Sequence, residues 1–169
     1  MLIIRVLIAI GIVVISSLIG IKKAKKYESR EYILKETIDL FKGIQNEMEY
    51  TLSSIPNAIE SIRIRFKTRL RDVLGAVSFE MLKHNIQLNT ITNEIENLEE
   101  LTAYDRQIIS LGLIELGKTD IKGQIGIIKS TCINLERQLK EATDERQKNS
   151  KLFKTVGVAT GLIIAIIFI

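Results

Sequence analysis

Two apolar runs, one at each end, bracket every acidic residue of this chain. From Met1 to Ile21 the only charge is Arg5, from Val156 to Ile169 there is none, and all twenty Asp and Glu residues lie between Lys22 and Lys154. Segregation this strict is hard to reconcile with a single globule whose charges spread over its whole surface. It predicts a charged domain held at a membrane by its ends. The overall composition hides the pattern, because 46% hydrophobic and 26% charged residues are averages over two unlike regions.

The first run, about 20 residues, spans roughly 30 Å as a helix, which matches a bilayer's hydrocarbon core. Arg5 is close enough to the end to snorkel to the far interface. A cleaved signal peptide would need a small-x-small cleavage site. Ser16-Ser17-Leu18-Ile19-Gly20 is a poor one and lysines follow it directly, so an uncleaved anchor is expected over 1–21. The second run is short alone. Leu152, Phe153 and a snorkelling Lys154 extend it to about 18 residues, near the lower limit for a span. Gly157 and Gly161 make a G-x-x-x-G face that can pack on another membrane helix, the first span being the natural partner; equally, glycine is simply frequent in such helices.

Lys22, Lys23, Lys25 and Lys26 follow the first run, and Lys148, Lys151 and Lys154 precede the second. By the positive-inside tendency the region between them faces the cytoplasm. The expected organisation is a transmembrane helix over 1–21, a cytoplasmic helical domain over 22–153 and a second transmembrane helix over 154–169. A lone cysteine, Cys132, forms no internal disulfide and fits a reducing compartment.

The middle region reads as helix. Leu34, Thr37/Ile38, Phe41, Ile44, Met48 and Leu52 recur at steps of three and four. Ile121, Ile125, Ile128, Cys132, Leu135, Leu139 and Ala142 alternate steps of four and three, the seam of a helix that packs along a partner. Two long antiparallel helices are the expected spine. Asp120 or Thr119 caps the second, and Gly117 ends the helix before it. Between them, Pro56 suits the first turn of a helix over 57–74 stopped by Gly75. Ser78 opens a short helix to His84, a weaker one covers 92–101, and Thr102 with Asp105 forms a capping box. The fold class is therefore all-α: a helical bundle on two long antiparallel helices, anchored by an N-terminal and a C-terminal transmembrane helix. The alternation of apolar and basic residues over 62–71 has the period of a strand, but with no partner strand in view it is read as helix.

Little here points to chemistry. One histidine and one cysteine make no metal site, and no glycine-rich loop precedes a Lys-Ser/Thr pair. Cys132 lies on the seam and reads as core, while Gly123 and Gly126 read as close-packing positions. Glu94, Glu96, Glu99 and Glu100 are a solvated acidic run with nothing to bury them. No catalytic, cofactor-binding or metal-ligating residue is expected, and the chain is not expected to be an enzyme. The distinctive surface feature is the basic run Arg63, Arg65, Lys67, Arg69 and Arg71. As a helix it would put Arg65 beside Arg69 and Lys67 beside Arg71. Arg63, Arg65, Arg69 and Arg71 are the candidate partner-binding residues, against the plainer reading of a solvated face. An acidic protein, anionic lipid or nucleic-acid phosphate could each meet such a run. Without aromatic interleaving, and with a net charge of only +4, nucleic acid is not expected.

The C-terminal part carries a pattern beyond periodicity. Asp105-Arg-Gln-Ile-Ile, Leu111-Gly112, Leu116-Gly117, Asp120, Gln124, Ile128, Leu135-Glu136, Ala142, Lys151-Leu152-Phe153, Val156-Gly157 and Gly161-Leu162 stand in one order and spacing. This resembles the stage III sporulation protein AB family of endospore-forming bacteria. Glu47-x-x-Tyr50 resembles a further family motif, although the proline that follows comes later here and the family's tryptophan is absent. The resemblance implies a helical domain similar to the cytoplasmic domains of the inner-membrane platform protein of type II secretion and type IV pilus systems. It implies a place in the channel-like complex between mother cell and forespore, in the mother-cell membrane. The implied partners are the secretion-type ATPase of the complex and its other membrane proteins; membrane lipid is expected from the apolar ends, and a second copy of the chain is a further candidate. The competing expectation is a membrane-anchored binder of anionic lipid or nucleic acid through a basic helix face.

Overall fold

The structure, a computed structural model, describes the backbone of residues 2–51, 53–83 and 88–168, and the side chains of these except 2–9, 88, 154, 162, 165, 167 and 168. Six helices follow one another: α1 (Leu2–Tyr50), α2 (Ile55–Arg63), α3 (Leu70–Met81), α4 (Leu88–Glu96), α5 (Ala103–Glu115) and α6 (Ile121–Phe168). Among the described residues there is no strand, as the helical periods predict. The chain divides into two compact units. One joins Met1–Glu31 with Glu141–Ile169, and the other is Tyr32–Lys140. Both long helices contribute to each.

In the Tyr32–Lys140 unit, the two periodic stripes form the part of the core that α1 and α6 supply, and residues such as Ile59, Leu74, Ile95 and Ile109 of the short helices complete it. On α1, Leu34, Thr37, Ile38, Phe41, Ile44 and Met48 are buried; on α6, Ile128, Cys132 and Leu135 are. Each buried Leu or Ile contributes roughly 1.5–3 kcal/mol relative to exposure. The α6 seam starts later than its spacing suggests, since Ile121 is half exposed and Ile125 only partly covered. A Lys42–Glu136 ion pair at 2.9 Å crosses from α1 to α6 on the outside. The shorter helices pack in chain order, α2 on α3, α3 on α4, α4 on α5. Two glycines let backbones close in. A Cβ on Gly43 would lie 2.8 Å from Ile62 of α2, and one on Gly112 of α5 would lie 2.8 Å from both Phe41 of α1 and Thr131 of α6.

The caps of the second half follow the sequence. The Asp105 N–H donates to Thr102 Oγ1 at 3.1 Å, and the Thr102 N–H donates back to Asp105 Oδ2 at 2.9 Å, a complete capping box. Gly117, at φ +88°, takes the left-handed position just past α5 that a side chain would resist. Asp120 Oδ1 accepts the Gly123 N–H at 2.9 Å and opens α6.

The first half departs from it. The helix expected over 57–74 breaks after Arg63 and resumes at Leu70, and Gly75, far from being a stop, lies inside α3. Ser78 is likewise interior, not a cap; its hydroxyl donates to Glu60 Oε2 at 3.1 Å. His84 and Leu52 lie outside the described residues. Gly126 has nothing within 4 Å of a would-be Cβ and is no close-packing position, whereas Gly123 sits against Thr119.

In the other unit, α1 and α6 run antiparallel in close contact. A Cβ on Gly20 would lie 2.5 Å from the Phe153 carbonyl oxygen and 3.1 Å from Gly157 Cα, and one on Gly161 would lie 2.9 Å from Val13 Cα. Ser16 Oγ donates to the Gly157 carbonyl at 2.6 Å. The G-x-x-x-G face therefore does meet α1. It meets a matching stripe of small residues, Ser16-x-x-x-Gly20-x-x-x-Ala24. Toward the charged end, the contacts become polar. Arg30 pairs with Glu145 at 2.7 Å, Arg146 Nε stands 2.8 Å from Glu31 Oε2, and Ser150 donates to Glu28 at 3.3 Å.

Among the described residues, no helix is long and apolar enough to cross a membrane. The expected anchoring by 1–21 and 154–169 thus finds no support in the fold itself. Both runs fall partly outside the described residues, the first nine side chains of the N-terminal run included.

Candidate interaction surface

The basic run lies where the helix was expected and is not. Arg63 ends α2. Two tight turns follow, with the Arg65 N–H bonded to the Ile62 carbonyl at 3.1 Å and the Phe66 N–H to the Arg63 carbonyl at 3.0 Å. The chain then extends to Thr68 and enters α3. Ile62, Phe66 and Leu70 are buried, while Ile64 is 58% exposed. The strand-like alternation is therefore not followed, because alternate apolar residues point opposite ways. No single basic helix face spans 63–71, so the pairing of Arg65 with Arg69 and of Lys67 with Arg71 on such a face is lost.

Glu36 of α1 fixes this connection. Its two carboxylate oxygens accept the Lys67 backbone N–H at 2.8 Å and the Thr68 hydroxyl at 2.5 Å. Thr68 Oγ1 in turn accepts the Leu70 N–H at 3.2 Å, covering one of the free donors at the start of α3. One carboxylate thus anchors the segment at two points, a charge-assisted arrangement stronger than neutral hydrogen bonds. A threonine followed by an acidic residue in the next turn, Thr68 and Asp72, is the signal that could have located this helix start.

Arg63 differs from the other cations. It forms a two-point pair with Glu60, Nε to Oε2 at 2.7 Å and Nη2 to Oε1 at 2.5 Å, and its side chain is only 20% exposed. Its guanidinium rests on Gly75, where a Cβ would stand 3.0 Å from Cζ. The Arg63 hydrogen bonds, assisted by Ser78, hold the Glu60 carboxyl below the usual glutamate range against the opposing effect of burial. Arg63 thereby ties α2 to α3 and is spent on structure. Arg65, Lys67, Arg69 and Arg71 are exposed, and among the described residues they make no ion pair.

Among the described residues, no three His, Cys, Asp or Glu side chains could hold a metal ion. Cys132 is buried, and burial pushes its thiol above the ordinary range, away from the nucleophilic thiolate. A mainly apolar groove of about 240 Å³, lined by residues including Ile55, Met81 and Leu113, offers only Lys118 as a charged group, and Lys118 is paired with Glu115 at 2.8 Å. The surface can present charge to a partner.

The family model described as stage III sporulation protein AB matches residues 5–169. No curated protein and no solved structure matches the chain closely enough to count as a relative.

Proposed function

The chain belongs to the stage III sporulation protein AB family and has a role related to sporulation; from that premise we propose that it is a non-enzymatic platform at the mother-cell membrane, its helical domain in the cytoplasm engaging the secretion-type ATPase of the channel complex. The charge pattern of the sequence supports the membrane reading: apolar runs at both ends, each bordered by lysines on its inner side. The observation that carries the docking role is the connection between α2 and α3. Arg65, Lys67 and Arg69 extend from a segment that Glu36 holds at two points, with exposed Ile64 beside them. Cations on a fixed backbone steer an acidic partner, and a neighbouring apolar side chain gives it something to bury. Arg71 extends the same charge into the first turn of α3. Arg63, tied to Glu60, has a supporting role.

The test is reversal of Arg65 and Arg69 to Glu in the full chain. Both are exposed, so the fold should hold. Co-purification of the ATPase from sporulating cells should fall by tenfold or more, and spore yield should fall with it. Undiminished co-purification and normal spore yield would remove the docking role.

A further inference from the structure

The unit formed by Met1–Glu31 and Glu141–Ile169 carries a second positive surface. Lys22, Lys23, Lys25 and Lys26 on α1 and Lys148 and Lys151 on α6 are all exposed. In the sequence they are two clusters more than a hundred residues apart; the antiparallel helix pair merges them. Lys23 Nζ lies 5.5 Å from the centroid of the Phe153 ring, Tyr27 stacks on the same ring at 5.9 Å, and Ser150 bonds Glu28. Residues 148–151 of α6 therefore stand level with the turns that follow Lys22–Lys26. At 1.5 Å per residue all six lysines fall within about 12 Å along the helices.

Among the neighbouring carboxylates, Glu145 has Arg30, Glu31 has Arg146 and Glu28 has Ser150, while Asp144 is exposed to solvent. Among the described residues, none of the six lysines forms an ion pair. The arginines thus hold the helices together and the lysines face outward. Next to this belt on the side of the chain termini, the exposed residues turn apolar, with Ile15, Leu18, Ile19, Leu152 and Val156 between 49% and 61% exposed. Ammonium groups level with an aromatic pair and bordered by an apolar flank are the chemistry found across a headgroup layer.

We propose that this lysine belt is a binding surface for anionic phospholipid headgroups. It rests on the membrane reading above but adds a lipid preference that anchoring alone does not require. Lipid is the ligand the surface favours, because the apolar exposure bordering the belt does not stop at one docking spot but continues along both helices toward the chain termini, from Ile19 to Ile10 and from Leu152 to Ile166. Lysine suits the role: a flexible stem with a point charge can follow a fluid headgroup, where arginine would favour a fixed two-point partner.

The test uses the full chain in phosphatidylcholine vesicles containing a small fraction of spin-labelled phosphatidylglycerol or, in parallel, spin-labelled phosphatidylcholine. The expected result is a several-fold preference for the phosphatidylglycerol label at the protein boundary, weakening as salt rises. Each juxtamembrane lysine adds to the attraction of an anionic surface. The preference should therefore be abolished when all six lysines are replaced by Gln, and reduced but measurable with K25Q/K26Q alone. The R65E/R69E chain should keep it. Equal occupancy by the two labels in the wild type, or a preference unchanged in both lysine variants, overturns the proposal while leaving the membrane reading intact. If the wild-type chain does not float with the vesicles at all, the membrane reading fails and the belt proposal with it.

Discussion

Glu60 and Arg63 sit three residues apart on α2, a spacing that on a bare helix contributes a few tenths of a kcal/mol. Here the pair does more, because the guanidinium also lies on Gly75 and the carboxylate also accepts from Ser78. Residues from α2 and α3 are thereby joined by one polar knot. The carboxyl is held below its ordinary value chiefly by Arg63, so its contribution to stability has a definite sign with pH. It is fully present above the unfolded glutamate value, about 4.3, and is lost as pH falls through the lower folded value. Comparing Glu60→Gln with the wild type by thermal unfolding of the full chain isolates this group. The wild type should melt higher by a constant margin from pH 7 to pH 5.5, and the margin should shrink steadily below pH 4.3. A margin that grows on acidification would mean that the carboxyl is held above its ordinary value instead. The margin itself should be small, since half of the Glu60 side chain faces water.

At the scale of elements, the α6 seam gives the sharpest expectation. Leu135 is fully buried and Arg137, two residues on, is exposed. Leu135→Ala should cost about 2–5 kcal/mol, as large-to-small core changes do. Arg137→Ala should cost less than about 0.5 kcal/mol. Equal melting shifts for the two variants would mean that the register of the helix is wrong. The contrast also shows what the sequence made legible. Long stripes such as Leu34–Met48 and Ile128–Leu135 repeat often enough for one period to dominate, and Thr102 with Asp105 is a local motif that needs no tertiary partner. The break at 64–69 was not legible in the same way. It depends on Glu36, some thirty residues earlier, capturing the Lys67 N–H and Thr68 hydroxyl, and no local window contains that carboxylate. Gly75 was misread for a related reason. Its small size serves the Arg63 guanidinium packed against it, not a helix end. The candidate surface was thus located by charge alone, while its shape, and the withdrawal of Arg63 into structure, came from contacts between elements.

At the scale of the whole molecule, the chain leaves and returns to one unit: the first part of α1 and the last part of α6 form the unit that holds both termini, and the intervening 32–140 forms the other. Under the proposed membrane attachment, such a layout puts both termini across the bilayer and residues 32–140 wholly on one side. Under the same proposal, the lysines on the inner border of both apolar runs would put that side in the cytoplasm by the positive-inside tendency. A docking surface for a cytoplasmic ATPase is meaningful only there. The native thiol makes this simple to check: Cys132 is 6% exposed and its burial disfavours the thiolate, so it should give little background. Asn57, by contrast, is an exposed position on α2. In intact cells carrying Asn57→Cys, a membrane-impermeant maleimide should leave the chain unlabelled, and permeabilised cells should label it fully. The unsubstituted chain should stay unlabelled in both. Labelling of Asn57→Cys from outside intact cells would place residues 32–140 on the opposite face and exclude any contact between Arg65, Arg69 and a cytoplasmic partner. Protection in intact cells, followed by loss of labelling at an introduced Arg65→Cys when the ATPase is bound, would put the basic connection on the correct side and under the partner itself.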